Sequence, residues 1–236
     1  MTAEDDESGR WPAAARDYRV VLLTITAGAV NAVSFIALGK VFSSVITGNL
    51  VLLGVAATTH SSVEASHAGV ALAGYAAGVL IGAPLAARQS QRAGTWPASV
   101  TATLAAELVV LAGFCVGWEL SGGHPHDGGQ FVLLIVAAAA MGMQSAAVYR
   151  LGQMSSTYLT STLLGVLAGL ATRTRPDGLG RSLGALAGLV VGALAGGILA
   201  RSAYGWLPIA VLLPPAVVVA GSIVESRHDG RGRGRR

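Results

Sequence analysis

The stretch Val41-Phe42-Ser43-Ser44-Val45-Ile46-Thr47-Gly48-Asn49-Leu50-Val51-Leu52-Leu53 sets a polar triplet, Thr47-Gly48-Asn49, in a largely apolar run. Gly48 permits backbone angles that unwind a helix, while Thr47 and Asn49 bring a hydroxyl and an amide. The stretch has a second version. Asn31, Gly39, Thr47, Asn49 and Leu50 are answered by Gln144, Gly152, Thr160, Thr162 and Leu163, each pair 113 positions apart, with Ser43 and Ser156 in step. The chain is therefore read as a duplication.

Its composition says what kind of duplication. Of 236 residues, 53% are hydrophobic and only 12% charged, too little polar surface for a soluble globule of this size. Eight apolar segments follow, four per half: 19–38, 41–58, 67–87 and 97–118, then 130–149, 154–171, 181–200 and 205–224. The expected organisation is a polar tail over 1–18, a membrane repeat over 19–118, an external loop over 119–129, a second repeat over 130–224 and an Arg-rich tail over 225–236. Met1 to Arg10 is acidic and polar, so the first apolar segment is expected to direct insertion itself. The formal charge of +4 comes largely from the last tail, which reads as a disordered, topology-fixing extension rather than a nucleic-acid binder.

Basic residues decide how many segments cross, because Lys and Arg collect on the cytoplasmic side. With both tails inside, eight crossings in parallel repeats leave Lys40, Arg88, Arg92, Arg150 and Arg201 outside and three basic residues inside. If the second segment of each half instead re-enters on the side it left, six lie inside and only Lys40 and Arg201 outside. The second arrangement is favoured. Three crossings per half is an odd number, so the halves become inverted repeats. The expected fold is all-α and polytopic: six crossings, two re-entrant segments, both termini cytoplasmic, in the bacterial inner membrane.

The candidate solute-binding residues are Asn31, Thr47, Gly48 and Asn49 in the first half and Gln144, Thr160, Ser161 and Thr162 in the second. Their polar groups either line a cavity or serve only as bonds between helices. Glu107, between Ala106 and Leu108 inside the fourth segment, is the candidate for proton or cation coupling. Gly74, Gly78 and Gly82, like Gly184, Gly188, Gly192 and Gly196, form small-residue stripes suited to close helix packing. His124-Pro125-His126-Asp127 reads as an exposed loop, and a single cysteine, Cys115, excludes an internal disulfide. No metal site, cofactor motif or nucleophile–base pair is seen, so no enzyme is expected.

The run Ala27-Gly28-Ala29-Val30-Asn31-Ala32-Val33-Ser34-Phe35, with Gly39, Val41-Phe42 and Thr47-Gly48-Asn49-Leu50, resembles the YoaK-like family of bacterial membrane proteins, also called DUF1275 or UPF0700. Met141-Gly142-Met143-Gln144-Ser145-Ala146 followed by Thr160-Ser161-Thr162-Leu163 resembles that family's second signature, with Ser161 standing where glycine is more usual. The resemblance implies a polytopic inner-membrane protein and names no substrate. Together these readings lead to a transporter or channel for a small polar solute or ion, the alternative being a scaffold that contacts lipid, a partner or a second copy of itself.

Overall fold

The computed structural model describes residues 13–88, 96–151, 159–173 and 178–233, and these are helices and their connections with no strand among them. In chain order the helices are α1 (Ala13–Ala37), α2 (Ile46–Thr58), α3 (Ser62–Ala87), α4 (Ala98–Leu120), α5 (Gly128–Arg150), α6 (Leu159–Ala171), α7 (Leu179–Ser202) and α8 (Leu207–Arg233), the last preceded by a single 3-10 turn, Tyr204–Trp206. A bilayer offers no water to backbone amides, so a spanning segment must satisfy them internally. Helices α1 (from Tyr18), α3, α4, α5, α7 and α8 are long and apolar enough to cross. Helices α2 and α6 are not: each has 13 residues, and a rise of 1.5 Å per residue gives about 20 Å against about 30 Å of hydrocarbon. The short helices are the second of each half, where the basic residues put the re-entrant segments.

Boundaries moved where helical bonding outruns the apolar stretch. Helix α1 begins at Ala13, inside the expected tail, and α8 runs on to Arg233 through a stretch expected to be disordered. Helices α4 and α5 also reach into the expected loop at 119–129. Ser156, Gly152 and the start of the segment 154–171 lie outside the described residues.

Glycine determines the main packing. A Cβ on Gly74 would sit 2.8 Å from the Ile135 carbonyl oxygen, one on Gly82 2.9 Å from Met143 Cα, and one on Gly78 would overlap the Ala139 carbonyl. These contacts seat α3 on α5. On the other side Gly188 meets Val21, Gly192 meets Ile25 and Gly196 meets Ala29, seating α7 on α1. The return contacts match too: Gly28 lies against Leu189 and Ala193, and Gly142 against Tyr75 and Val79, each member 114 positions from its counterpart. Each half thus packs its first helix on the third helix of the other half. The remaining pairings obey the same exchange: α2 on α3 with α6 on α7, α4 on α5 with α8 on α1, and α3 on α4 with α7 on α8.

Contacts along the helices give their directions. Gln144, late in α5, donates to the carbonyl of Leu23, early in α1. At the far end, Gly39 just beyond α1 packs on His67, whose ring stacks on Phe131 at the start of α5. Thr101, early in α4, bonds Ser222, late in α8, whereas Trp118 near the end of α4 reaches Tyr204 before α8. Early residues of α1 and α4 therefore lie beside late residues of α5 and α8. The bundle has one end at Arg19, Ser99, Val148 and Ser222, and an opposite end at Gly39, His67, Phe131 and Trp118. Between them Val30, Val33, Leu111, Phe114, Leu134 and Met141 form a fully buried core, while Leu80, Val109, Val190 and Leu194 face outward as a lipid-facing surface requires.

Candidate functional site

The irregular backbone lies upstream of the triplet. After α1 the chain turns through Gly39 and Lys40, with φ of 96° and 59°, and runs without helix from Val41 to Val45. Thr47-Gly48-Asn49 belongs to the first turn of α2, and Thr160-Ser161-Thr162 to the first turn of α6. Gly48 therefore does not unwind the helix; Gly39 makes the turn, and a Cβ there would strike the His67 imidazole.

Two asparagines hold the break. The buried Asn31 amide donates from Nδ2 to Ser44 Oγ at 2.7 Å, and its Oδ1 accepts from the Ser44 amide at 3.0 Å and from Ser43 Oγ at 3.3 Å. Asn49, with no exposed surface, clasps one residue from both sides: its Oδ1 accepts from the Phe42 amide at 2.9 Å and its Nδ2 donates to the Phe42 carbonyl at 2.6 Å. Backbone groups that leave a helix inside a membrane need such partners. Since Asn31 sits within α1, residues 43 and 44 are held at a depth well inside the bundle's end. Phe42 also stacks on Phe35, with centroids 5.2 Å apart.

The other candidates are arranged differently. Thr47, Thr160 and Ser161 are exposed on the bundle surface, and Gly48 and Thr162 half-buried. Gln144 is buried, and its Nε2 bond to Leu23 ties α5 to α1. Helix α2 packs on α3 and α6 on α7, and α2 with α6 is not among the pairs that pack extensively. The structure thus brings Asn31 and Asn49 together around one segment and does not join the two triplets. Glu107 stands apart: it has no exposed surface, and among the described residues neither carboxyl oxygen has a hydrogen-bond partner. Thr26, in the middle of α1, is equally buried and its hydroxyl equally unpartnered. No group of three or more His, Cys, Asp or Glu among the described residues could hold a metal ion.

A family model described as "Protein of unknown function (DUF1275)" matches residues 20–224, most of the chain and at least part of every one of the six long helices among the described residues. The chain belongs to the DUF1275 family. It is also similar to the UPF0700 transmembrane protein YoaK of Bacillus subtilis (strain 168), 34% identical over 164 residues, 68% of this chain and 70% of that protein. No solved structure matches. This DUF1275 protein is accordingly a multi-pass membrane protein.

One polar cluster escaped the sequence reading. Arg19, buried completely, pairs through Nη2 with Glu225 and carries Trp96 across its guanidinium face, 4.5 Å from the ring centroid. The Tyr18 hydroxyl is 3.4 Å from Arg19 Nε. The cluster joins the start of α1, the end of α8 and the approach to α4. Arg19 and Glu225 are 206 positions apart, and each reads in sequence as an ordinary charge flanking an apolar segment, so only their opposite signs could have hinted at a pair.

Proposed function

We propose that this DUF1275 protein is a transporter or channel for a small polar solute or ion, built as two inverted halves with six crossings and two re-entrant segments. The supporting observation is the exchange between halves: α1 seats on α7 as α5 seats on α3, while the equivalent helices α1 and α5, and α4 and α8, run in opposite directions. A two-fold axis in the membrane plane relates inverted repeats in this manner. On this reading the end carrying Arg88, Arg150 and Arg181 faces the cytoplasm with both termini, and the end carrying Lys40 and Arg201 faces outward, in the inner membrane.

The carboxyl of Glu107 is the coupling group in this scheme. An acid held inside a span without a partner is costly to keep unless it has a use, and carrying a proton or cation is the commonest one. Thr47 and Thr160, in the first turns of α2 and α6, are the candidate solute-facing hydroxyls. Purified protein in liposomes, assayed for flux across a panel of ions and small polar solutes, tests the reading. Flux that tracks the proton gradient and loses that dependence in Glu107→Gln supports it; a panel that moves nothing contradicts it.

A scaffold role is favoured by one observation, the face of α6. Leu163, Leu164, Leu167 and Leu170 are all exposed, an apolar surface suited to lipid or to a second copy of the chain. Cysteines at positions 47 and 160 in a Cys115→Ala background separate the readings, since water-borne thiol reagents label both in a transporter and neither in a scaffold packed in lipid.

A further inference from the structure

The apolar core is interrupted at one level. Leu104 of α4 packs in a cluster with Leu23, Val148 and Val218, whereas Leu111 belongs to another with Val30, Met141 and Val211. Between the two clusters the four helices contribute Thr26, Glu107, Gln144 and the pair Pro214-Pro215, all buried. Of these only Glu107 readily takes up and releases a proton.

Register fixes what Glu107 faces. Thr101 bonds Ser222 and Trp118 reaches Tyr204, so α4 and α8 run antiparallel past one another. Six residues inward from the first bond Glu107 is level with Ala216, and eleven inward from the second with Pro215. Against α5, the approach of Gly117 to Leu133 sets Glu107 level with Met143, beside Gln144.

Proline opens the backbone of α8 at that level. Pro215 has no N–H, so the carbonyl of Val211 lacks the amide that would meet it one turn on, and Pro214 does the same to Ala210. A carbonyl freed in this way inside a membrane is answered by a neighbouring helix. Val211 is fully buried, and its open lone pair points toward Pro215, the position opposite Glu107.

An ionised carboxyl and a carbonyl both only accept, so neither can bond the other. The two Glu107 oxygens are accordingly without hydrogen-bond partners among the described residues. No cationic side chain in the packed helices offsets the charge: α4 packs on α3, α5 and α8, and Lys and Arg are absent from α3, from α4, from α5 before Arg150 and from α8 before Arg227. The nearest titratable groups are Tyr75 of α3, about one turn from the level of Glu107, and Cys115 and Glu119, about two and three turns along α4. Helix α5 has none before Tyr149 and α8 none before Glu225. One proton on Glu107 removes the buried charge and turns an acceptor into a donor.

We propose that Glu107 binds a proton at the centre of the bundle, its protonated carboxyl donating to the Val211 carbonyl that Pro215 leaves open. The assignment rests on the reading of Glu107 as the coupling group and narrows its ion from proton or cation to a proton. The proton comes from bulk water, adds to one carboxylate oxygen as an O–H bond and returns to water on release, with no other covalent bond changed. Complete burial leaves a hydrated ion no place beside Glu107 in this conformation. A bare metal ion needs several converging oxygens, whereas a proton needs one donor and one acceptor.

Infrared spectroscopy of the purified full-length protein in light and heavy water at neutral pH tests the assignment. The parent is expected to show the C=O stretch of a protonated carboxylic acid, shifted by deuterium and absent from Glu107→Gln. Pro215→Ala returns an amide to Val211, so the acid loses its acceptor and its band should move to higher frequency. Alanine is the better helix former, so this variant keeps the helix. Continued burial of Cys115 toward a thiol dye shows that each variant is folded. Absence of the band from the parent overturns the proposal, as does a band that Pro215→Ala leaves unmoved. Loss of the band on adding Na⁺ at constant pH would also overturn it, in favour of a metal cation at the acid. An acid band in a protein that moves nothing in liposomes would leave the proton site standing while the transport reading fell; flux without the band would do the reverse.

Discussion

Asn49 shows how a polar residue in an apolar run can serve the backbone. Both ends of its amide are taken up by Phe42, so a solute would have to displace those bonds to use it. Asn49→Ala should leave the Phe42 amide and carbonyl buried without partners and destabilise the fold by about 1–3 kcal/mol. Cys115, free and buried, reports this directly, since a thiol-reactive dye reaches it only on unfolding and the variant should label at lower temperature. The sequence was informative here because a polar triplet in an apolar context stands out. It misplaced the break by several residues, because Gly48 looks the natural point of unwinding while the φ of 96° belongs to Gly39. The tertiary bonds of Asn31 to residues 43 and 44 fix that choice, and nothing local encodes them.

At the scale of elements, the glycine stripes were legible because spacing by four is a local pattern with one structural use in lipid. Their partners were not, since a stripe states that a backbone approaches without saying which. Gly192→Ala puts a methyl group onto the Ile25 carbonyl, with no flexible side chain to yield. A loss of about 1–3 kcal/mol is expected from such overpacking. Gly54→Ala, in α2 with nothing within 4 Å, should be neutral or stabilising by up to about 1 kcal/mol. Thermal unfolding of the two variants in the same detergent compares them. The Arg19–Glu225 pair acts between elements in another way, tying α1 to α8 beneath Trp96. Glu225→Gln should lower the unfolding temperature by leaving a buried guanidinium without its carboxylate, and Arg19→Met with Glu225→Met should recover part of the loss.

For the whole molecule, apolar length showed eight segments and only the count of basic residues reduced the expected crossings to six; among the described residues six helices are long and apolar enough to cross and two are short. The direction of the second half rested on counting basic residues. Its support in the structure is of a different kind: early α1 lies by late α5 and early α4 by late α8. Inversion of the halves is tested by single cysteines replacing Glu64 and Asp177 in a Cys115→Ala background, probed in intact cells and in inverted vesicles with a membrane-impermeant thiol reagent. The inverted six-crossing arrangement predicts labelling from opposite sides, position 64 from outside and position 177 from the cytoplasm. Labelling of both from the cytoplasmic side, as eight crossings in parallel repeats require, would contradict it.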